Sequence, residues 1–278
     1  MSSEPFFKFI VWGVEPTEII PRIVNTCAID TILFIMYHMR RINIVVKNVI
    51  ITENGIIEKV MRLLDHDKCD EARYYIAKQN RELRYRVDGA LPGGKAIDLY
   101  SGIGNWIWMF QCLTGYKRKS VMKCDTCKKY VVTEKEVQAI YLTKIDEYLS
   151  EELNKKLHST MEQKCEEDTQ RIDIGDENIA VYPNPCTGHV RIEDNIVVLP
   201  KILAIYGIEF DRNKEMKFIP FTAMPRTLNF MGEAWVLTGI VTNDTTHFRA
   251  LVPIKDTKWV VYDGQDKDKD YKYVDIDG

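Results

Sequence analysis

The sequence predicts an α+β fold, with helices gathered in the front third and an antiparallel sheet at the rear. Three observations carry that expectation. Residues 28–37 place apolar groups around most of a helical circumference, the pattern of a helix buried inside a core. Strand-like apolar runs recur towards the end of the chain, at 196–199, 202–205, 235–241, 247–254 and 259–262. Between these regions the composition turns charged, and cysteines stand three apart at Cys124 and Cys127.

The 278 residues carry 38 Lys+Arg against 41 Asp+Glu, a formal net charge of -3, which argues against a protein that coats nucleic acid. A hydrophobic content of 45% is enough for a large core and excludes wholesale disorder. The densest apolar run, 28–36, is broken by Asp30 and Thr31 and is too short to span a bilayer, so no membrane partner is expected. The start, Met1-Ser2-Ser3-Glu4-Pro5, lacks the basic and apolar regions of a secretory leader. Together with an odd count of seven cysteines, this predicts an intracellular protein, cytoplasmic or nuclear. Its thiols are expected to stay reduced, as core filler, metal ligand or nucleophile.

Along the chain, residues 5–14 read as an apolar, aromatic strand, and Pro16 and Pro21 then break regular structure. Asn25 and Thr26 are good N-cap residues for the buried helix, whose far end is polar with His38, Arg40 and Arg41. Helical spacing returns at 56–64 and 69–78, and 88–94 is turn-rich through Leu91-Pro92-Gly93-Gly94. Trp106, Trp108, Met109, Phe110 and Leu113 form a core cluster. Residues 134–167, with Leu142, Ile145, Leu149 and Leu153, read equally as helix or as long exposed strands. Pro253 and residues 255–258 suit a turn that makes the last two strands a hairpin.

Cys27 directly follows the capping residues. At a helix N-terminus the free backbone N–H groups and the dipole favour a thiolate and offer donors to an oxyanion. A thiol nucleophile also needs a histidine from elsewhere in the chain. Of the five histidines, His38, His66 and His158 lie on polar segments and are expected at the surface. His247 instead begins the strand-like run 248–252, while Asp263 ends the next one, so a hairpin would bring imidazole and carboxylate together. Asp263-Gly264 also reads simply as a turn.

Cys124-Asp125-Thr126-Cys127 aims two thiolates at one point, as a zinc knuckle or a redox pair does. Cys186-Thr187-Gly188-His189 repeats the spacing after Pro183 and Pro185, which gives a Cys₃His set suited to structural zinc, Zn2+. Cys165 is an alternative fourth ligand, and Cys69 and Cys112 are expected as buried filler. Zinc would brace residues 155–177, which are rich in Glu and Lys and can build little core alone.

Asn25-Thr26-Cys27-Ala28-Ile29-Asp30-Thr31-Ile32-Leu33 resembles the cysteine box of the ubiquitin-specific proteases and of the related SUMO isopeptidases, the Asp at 30 looking more like the SUMO-directed branch. Residues 235–241, then His247-Phe248 and Trp259-Val260-Val261-Tyr262-Asp263, are similar to that family's histidine box. Leu199-Pro200-Lys201-Ile202-Leu203-Ala204-Ile205 resembles the strand after its finger region. The order of these boxes spans nearly the whole chain. The sequence departs from the family at Arg22, where an oxyanion-hole Asn usually stands, at Thr246 in place of Gly, and at Gly264 in place of an acidic residue.

The resemblance implies a papain-like cysteine protease fold with a zinc-bearing finger insertion, in one catalytic domain over 1–278. Its parts would be a helical region with the nucleophile (1–116), the finger (117–195) and a sheet with His and Asp (196–278). It implies a thiol isopeptidase that cleaves ubiquitin, SUMO or a similar modifier after its Gly-Gly tail from lysine side chains. Cys27 would be the nucleophile, His247 the base and Asp263 its orienting carboxylate, with Cys124, Cys127, Cys186 and His189 on zinc. Since Arg22 stands where the family has its Asn, Asn25 or the Cys27 backbone N–H would have to serve the oxyanion. A monomer is assumed, and the end at Gly278, soon after Asp263, suits a trimmed catalytic domain. The alternative is a catalytically silent modifier-binding scaffold on the same fold.

Overall fold

The computed structural model describes residues 17–53, 55–79, 87–88, 96–100, 102–137, 139–142, 151, 153, 155, 158–165, 173–174, 178–179, 186–207, 225–243, 247–254, 258–264 and 272–275. The expected strand at 5–14, most of the loop at 88–94, Thr246 and the turn residues 255–257 lie outside these.

Helix α1 (Cys27–Ile42) is the core element, and nearly every residue from Cys27 to Met39 is buried, Ile35 being the half-buried exception. Its far end differs from expectation: His38 is buried against the backbone carbonyl of Pro253, and burial pushes its pKa down. The polar look of that segment comes from Arg40, which reaches Asp65 through two hydrogen bonds of 2.9 and 2.7 Å. Asn43 then leaves the helix with an extended backbone, and its side chain caps the next helix by accepting from Val45 N at 2.9 Å.

The next helix, α2 (Ile44–Glu53), has no counterpart among the expected elements, because its apolar residues fall on several sides and leave no single apolar face. Val46 and Ile50 face the core while Ile44, Val45 and Ile51 stay exposed. Helices α3 (Gly55–Asp65) and α4 (Cys69–Gln79) match the expected helical segments, and α3 buries Ile57, Val60, Met61 and Leu64 at 3–4 residue spacing. The short α5 (Ile103–Ile107), a 3₁₀ turn (Trp108–Phe110) and α6 (Gln111–Thr114) bury Trp106, Met109, Phe110 and Leu113, as the aromatic cluster requires. Cys69 and Cys112, expected as buried filler, sit half-buried at the margin of this core.

A small sheet, ordered β1-β3-β2, is built from β1 (Ile23–Val24), β2 (Val87–Asp88) and β3 (Ala96–Asp98), with β1 parallel to β3. Where it is described, the undecided stretch 134–167 is mostly strand, with Glu151, Leu153 and Lys155 helical. Strands β4 (Tyr116–Cys124), β5 (Tyr130–Val137), β6 (Ile140–Leu142), β7 (His158–Lys164), β8 (Asp173–Ile174), β9 (Asn178–Ile179) and β10 (His189–Val198) include a four-stranded antiparallel sheet, β5-β4-β10-β7. Strand β11 (Ile205–Gly207) runs parallel to β6, and β12 (Thr227–Phe230) pairs with β13 (Glu233–Val236).

The rear sheet is β14-β15-β16-β17, from β14 (Ile240–Asn243), β15 (Phe248–Pro253), β16 (Lys258–Asp263) and β17 (Lys272–Asp275). Ala250, Val252, Val260 and Tyr262 join the core that holds α1, where Tyr262 stacks on Phe34 with ring centroids 4.8 Å apart. Leu251 and Trp259, on the alternate positions, pack with Ile240 in a second cluster. Burial on both faces explains why these strands read as unbroken apolar runs.

The expected strand 235–241 is in fact two, interrupted around Gly239. A Cβ at that glycine would lie 2.8 Å from Ile35 Cγ2, so the chain passes α1 at a separation only glycine allows. Gly239→Val is therefore expected to destabilise by about 1–3 kcal/mol through overpacking. Urea unfolding should show that loss, and Ile35→Ala in the same chain should recover part of it.

Candidate active site and metal centre

The turn into α1 is set by Asn25, whose φ of 58° is left-handed, a conformation that Asn tolerates better than most residues. Its side-chain Nδ2 donates to Asp98 Oδ1 at 2.9 Å, and the same oxygen accepts from Tyr100 N at 2.8 Å. The amide expected to serve an oxyanion is thus engaged with β3. Arg22 is half-buried, and its backbone carbonyl accepts from Ile97 N.

Cys27 is the first residue of α1 and is 8% exposed. Burial pushes its thiol pKa up, and the Asp30 charge adds to that; hydrogen bonds from the backbone N–H groups of Phe248, Ala28 and Cys27 itself act the other way without prevailing. The Phe248 contact brings the sulfur to the start of β15, one residue past His247. Thr31 reinforces that junction, its hydroxyl donating to Cys27 O at 2.6 Å and lying 3.5 Å from Phe248 O.

His247 is buried, and its Nε2 lies 2.6 Å from Asp263 Oδ1. The hairpin register pairs Arg249 with Asp263, and Arg249 Nε donates to the second carboxylate oxygen at 2.6 Å. One carboxylate is therefore held between an imidazole and a guanidinium. Arg249 carries no motif signal; only the two-residue offset from His247 on one strand, opposite Asp263, could have singled it out.

A second group sits behind Cys27. Asp30 and Arg73 are both 1% exposed at the side chain and form a two-pronged ion pair, Nε to Oδ1 at 2.8 Å and Nη2 to Oδ2 at 2.7 Å. Thr26 Oγ1 donates to Asp30 Oδ2 at 2.7 Å, and Arg73 Nη1 reaches Asp70 at 3.1 Å. Burial works against the guanidinium charge, but the Asp30 carboxylate outweighs it and holds Arg73 protonated above its ordinary range. Asp30, which by resemblance looks SUMO-directed, is spent on this internal contact and presents no surface to a partner.

The metal centre gathers four cysteines. Cys124 ends β4, Cys127 lies in the following turn, Cys165 comes just after β7 and Cys186 precedes β10, and their sulfurs all lie within 4.8 Å of one another. Cys124 and Cys186 sulfurs are 3.6 Å apart, and those of Cys127 and Cys165 are 3.9 Å apart. A tetrahedral ion with Zn–S bonds of about 2.3 Å holds its sulfurs about 3.8 Å apart, so the four fit a structural Zn2+. Backbone N–H groups of Cys127 and Thr126 lower the Cys124 thiol to about 6, towards the thiolate a metal needs. Burial, with the neighbouring sulfurs, raises Cys165 to about 12. Gly188 is required at close quarters, since a Cβ there would fall 2.3 Å from Thr126 Oγ1.

His189 is not among the four. It opens β10 on an exposed face, while its neighbour Val190 packs against Cys124 and Cys165. Side chains alternate along a strand, so placing Val190 inward sends His189 outward, and Cys165 takes the fourth position. The x-Gly-His spacing after Cys186 suggests a knuckle only while the strand start is unknown.

Among solved structures, the chain is similar to one from a SAGA DUB module of Ubp8, Sgf11, Sus1 and Sgf73 bound to monoubiquitin, at 14% identity and a TM-score of 0.52. That alignment covers 90% of this chain and 63% of the other. A chain of the same module bound to ubiquitin aldehyde gives 15% identity and a TM-score of 0.49, over 90% of this chain and 64% of the other. No protein-family model matches, and no curated protein matches in sequence. The α+β fold is thus shared, at a remote level, with a chain of a deubiquitinating module, of which this chain spans less than two thirds.

Two outcomes are expected. Cys165→Ser should bring zinc, measured by metal analysis of purified protein, below about half an equivalent, whereas His189→Ala should leave it intact. Iodoacetamide alkylation of Cys27 should rise with pH through a midpoint above the ordinary cysteine value of about 8.5, because burial raises this thiol.

Proposed function

We propose that the chain is a thiol isopeptidase of the ubiquitin-specific protease type, on a papain-like fold, and that it removes ubiquitin or a ubiquitin-like modifier from lysine side chains. The observation that carries this reading is the meeting of Cys27, at the N-terminus of a buried helix, with the start of the strand that follows His247, itself bonded to Asp263. Similarity to a chain from a ubiquitin-bound module supports ubiquitin as the first modifier to test. SUMO rests on the resemblance of the cysteine box alone.

In this mechanism His247 takes the Cys27 proton as the sulfur attacks the carbonyl carbon of the modifier's C-terminal glycine. A general base suits a thiol that burial keeps protonated at rest. The tetrahedral oxyanion draws on backbone N–H groups in the first turn of α1. Its collapse breaks the C–N bond, and His247 returns the proton to the leaving lysine amine. Water, deprotonated by His247, then attacks the thioester and releases the modifier's carboxylate and the Cys27 thiol. Asp263 holds the imidazole in one orientation and stabilises its charged form. Zn2+ on the four cysteines would brace the finger strands and take no part in the chemistry.

A second reading, a silent modifier-binding scaffold, is favoured by Asn25, whose amide is engaged with Asp98. Ubiquitin and SUMO probes bearing a C-terminal electrophile separate the two. A covalent ubiquitin adduct, abolished by Cys27→Ala and slowed about 100-fold or more by His247→Ala, is expected of the isopeptidase. Folded protein that forms no adduct with either probe is what the scaffold reading requires.

A further inference from the structure

Asp30 lies one turn into α1 with its charge fully enclosed, and its contacts lead directly to the nucleophile's turn. Thr26 precedes Cys27 at the N-cap position, with φ -83° and ψ -4°, yet makes no side-chain capping hydrogen bond. Its hydroxyl goes to Asp30, and Asp30 in turn is gripped by Arg73 on α4. The first turn of α1 is therefore anchored to a neighbouring helix through three side chains. A buried ion pair is seldom more stabilising than apolar packing of the same volume, so stability alone does not account for one placed here.

Resting on the isopeptidase reading, we propose that Asp30 and Arg73 are a positioning pair for Cys27, holding its turn through Thr26 and balancing the charge behind the thiol. The charged group on Cys27's own helical turn is Asp30, and Arg73 of α4, which bonds Asp30, also faces Asp70 and Cys69 of α4 and Tyr262 of β16. His247 and Arg249 belong to the β15 side with Asp263 of β16, and Asn25 with Asp98 lies on the β1 and β3 side. Among these, Asp30 is the carboxylate on the same helical turn as the sulfur, and Arg73 offsets it through two hydrogen bonds.

The pair is tested by the pH dependence of Cys27 alkylation with iodoacetamide, followed by peptide mass in the purified full chain. Asp30→Asn, which leaves the Arg73 charge, should lower the midpoint by about half a pH unit or more. Arg73→Gln, which leaves the Asp30 charge, should raise it by a similar amount, and the neutral double variant should return close to the parent. Folded single variants whose profiles superimpose on the parent would overturn the proposal, since a structural brace changes thermal stability without opposite shifts. Should the single variants fail to fold, Thr26→Val cuts the link without stranding a charge. It should change the Cys27 alkylation rate at fixed pH by about threefold or more, with Thr26→Ser restoring it, and an unchanged rate rejects the pair. Iodoacetamide needs no modifier, so shifted profiles without any ubiquitin or SUMO adduct keep the pair and remove the isopeptidase reading. Adducts with unshifted profiles do the reverse.

Discussion

The Asp30–Arg73 ion pair is the constraint around which the front of the molecule is arranged. Helix α1 is buried on nearly all sides, so its N-terminal turn can be oriented only by contacts made inside the core. Apolar side chains pack without direction, whereas a two-pronged guanidinium contact fixes both distance and angle. Arg73 supplies that contact from α4, and Thr26, the residue before Cys27, ties the N-terminal turn to it through Asp30. The cost of enclosing two charges is offset because every oxygen of Asp30 has a donor.

The second constraint is the close passage of the rear sheet across α1. Gly239 lets the chain pass against Ile35, Tyr262 stacks on Phe34, and Thr31 meets the carbonyl of Phe248. These contacts bring Phe248, the first residue of β15 and the one after His247, to the sulfur. On the sheet itself the carboxylate is held from both sides, by His247 and by Arg249, which the antiparallel register places opposite Asp263. The finger strands obey a different rule. The core at their tip is made of Cys124, Cys165 and Val190 with partly buried Met122, Cys186 and Ile192, too little apolar surface to hold four strand ends together. A metal on the four converging sulfurs would supply what that core lacks.

Much of this was legible in the residues. The all-round apolarity of 28–37, the aromatic cluster near Trp106 and the apolar runs at the rear each follow from local spacing, and each reappears as an element. Thr26 does stand at the N-cap position of α1, but its hydroxyl goes to Asp30 and the Asn25 amide to Asp98, so neither side chain caps the helix. Elements fail to show where local pattern is silent: the apolar residues of α2 form no single face among Lys47, Asn48, Thr52 and Glu53, and the 134–167 stretch has no clear period. His38 reads as exposed from its polar neighbours Arg40 and Arg41, but the side of α1 that carries it packs against the Pro253 carbonyl. The metal pairs were recognisable as spacing, but His189 and Cys165 could be told apart only once the start of β10 was known.

By itself the sequence determined the α+β class, the burial of the helix that begins at Cys27, the hairpin that brings His247 and Asp263 together, and the presence of clustered sulfur ligands. All of these depend on neighbours within a few residues or on adjacent strands. The tertiary structure alone decided that Arg73 answers Asp30, that Arg249 shares Asp263, that Asn25 is engaged by Asp98, and that Cys165 completes the metal site. Those pairings join positions brought together by packing, where distance in space and the alternation of side chains across a strand decide the partner, and spacing along the chain carries no record of either.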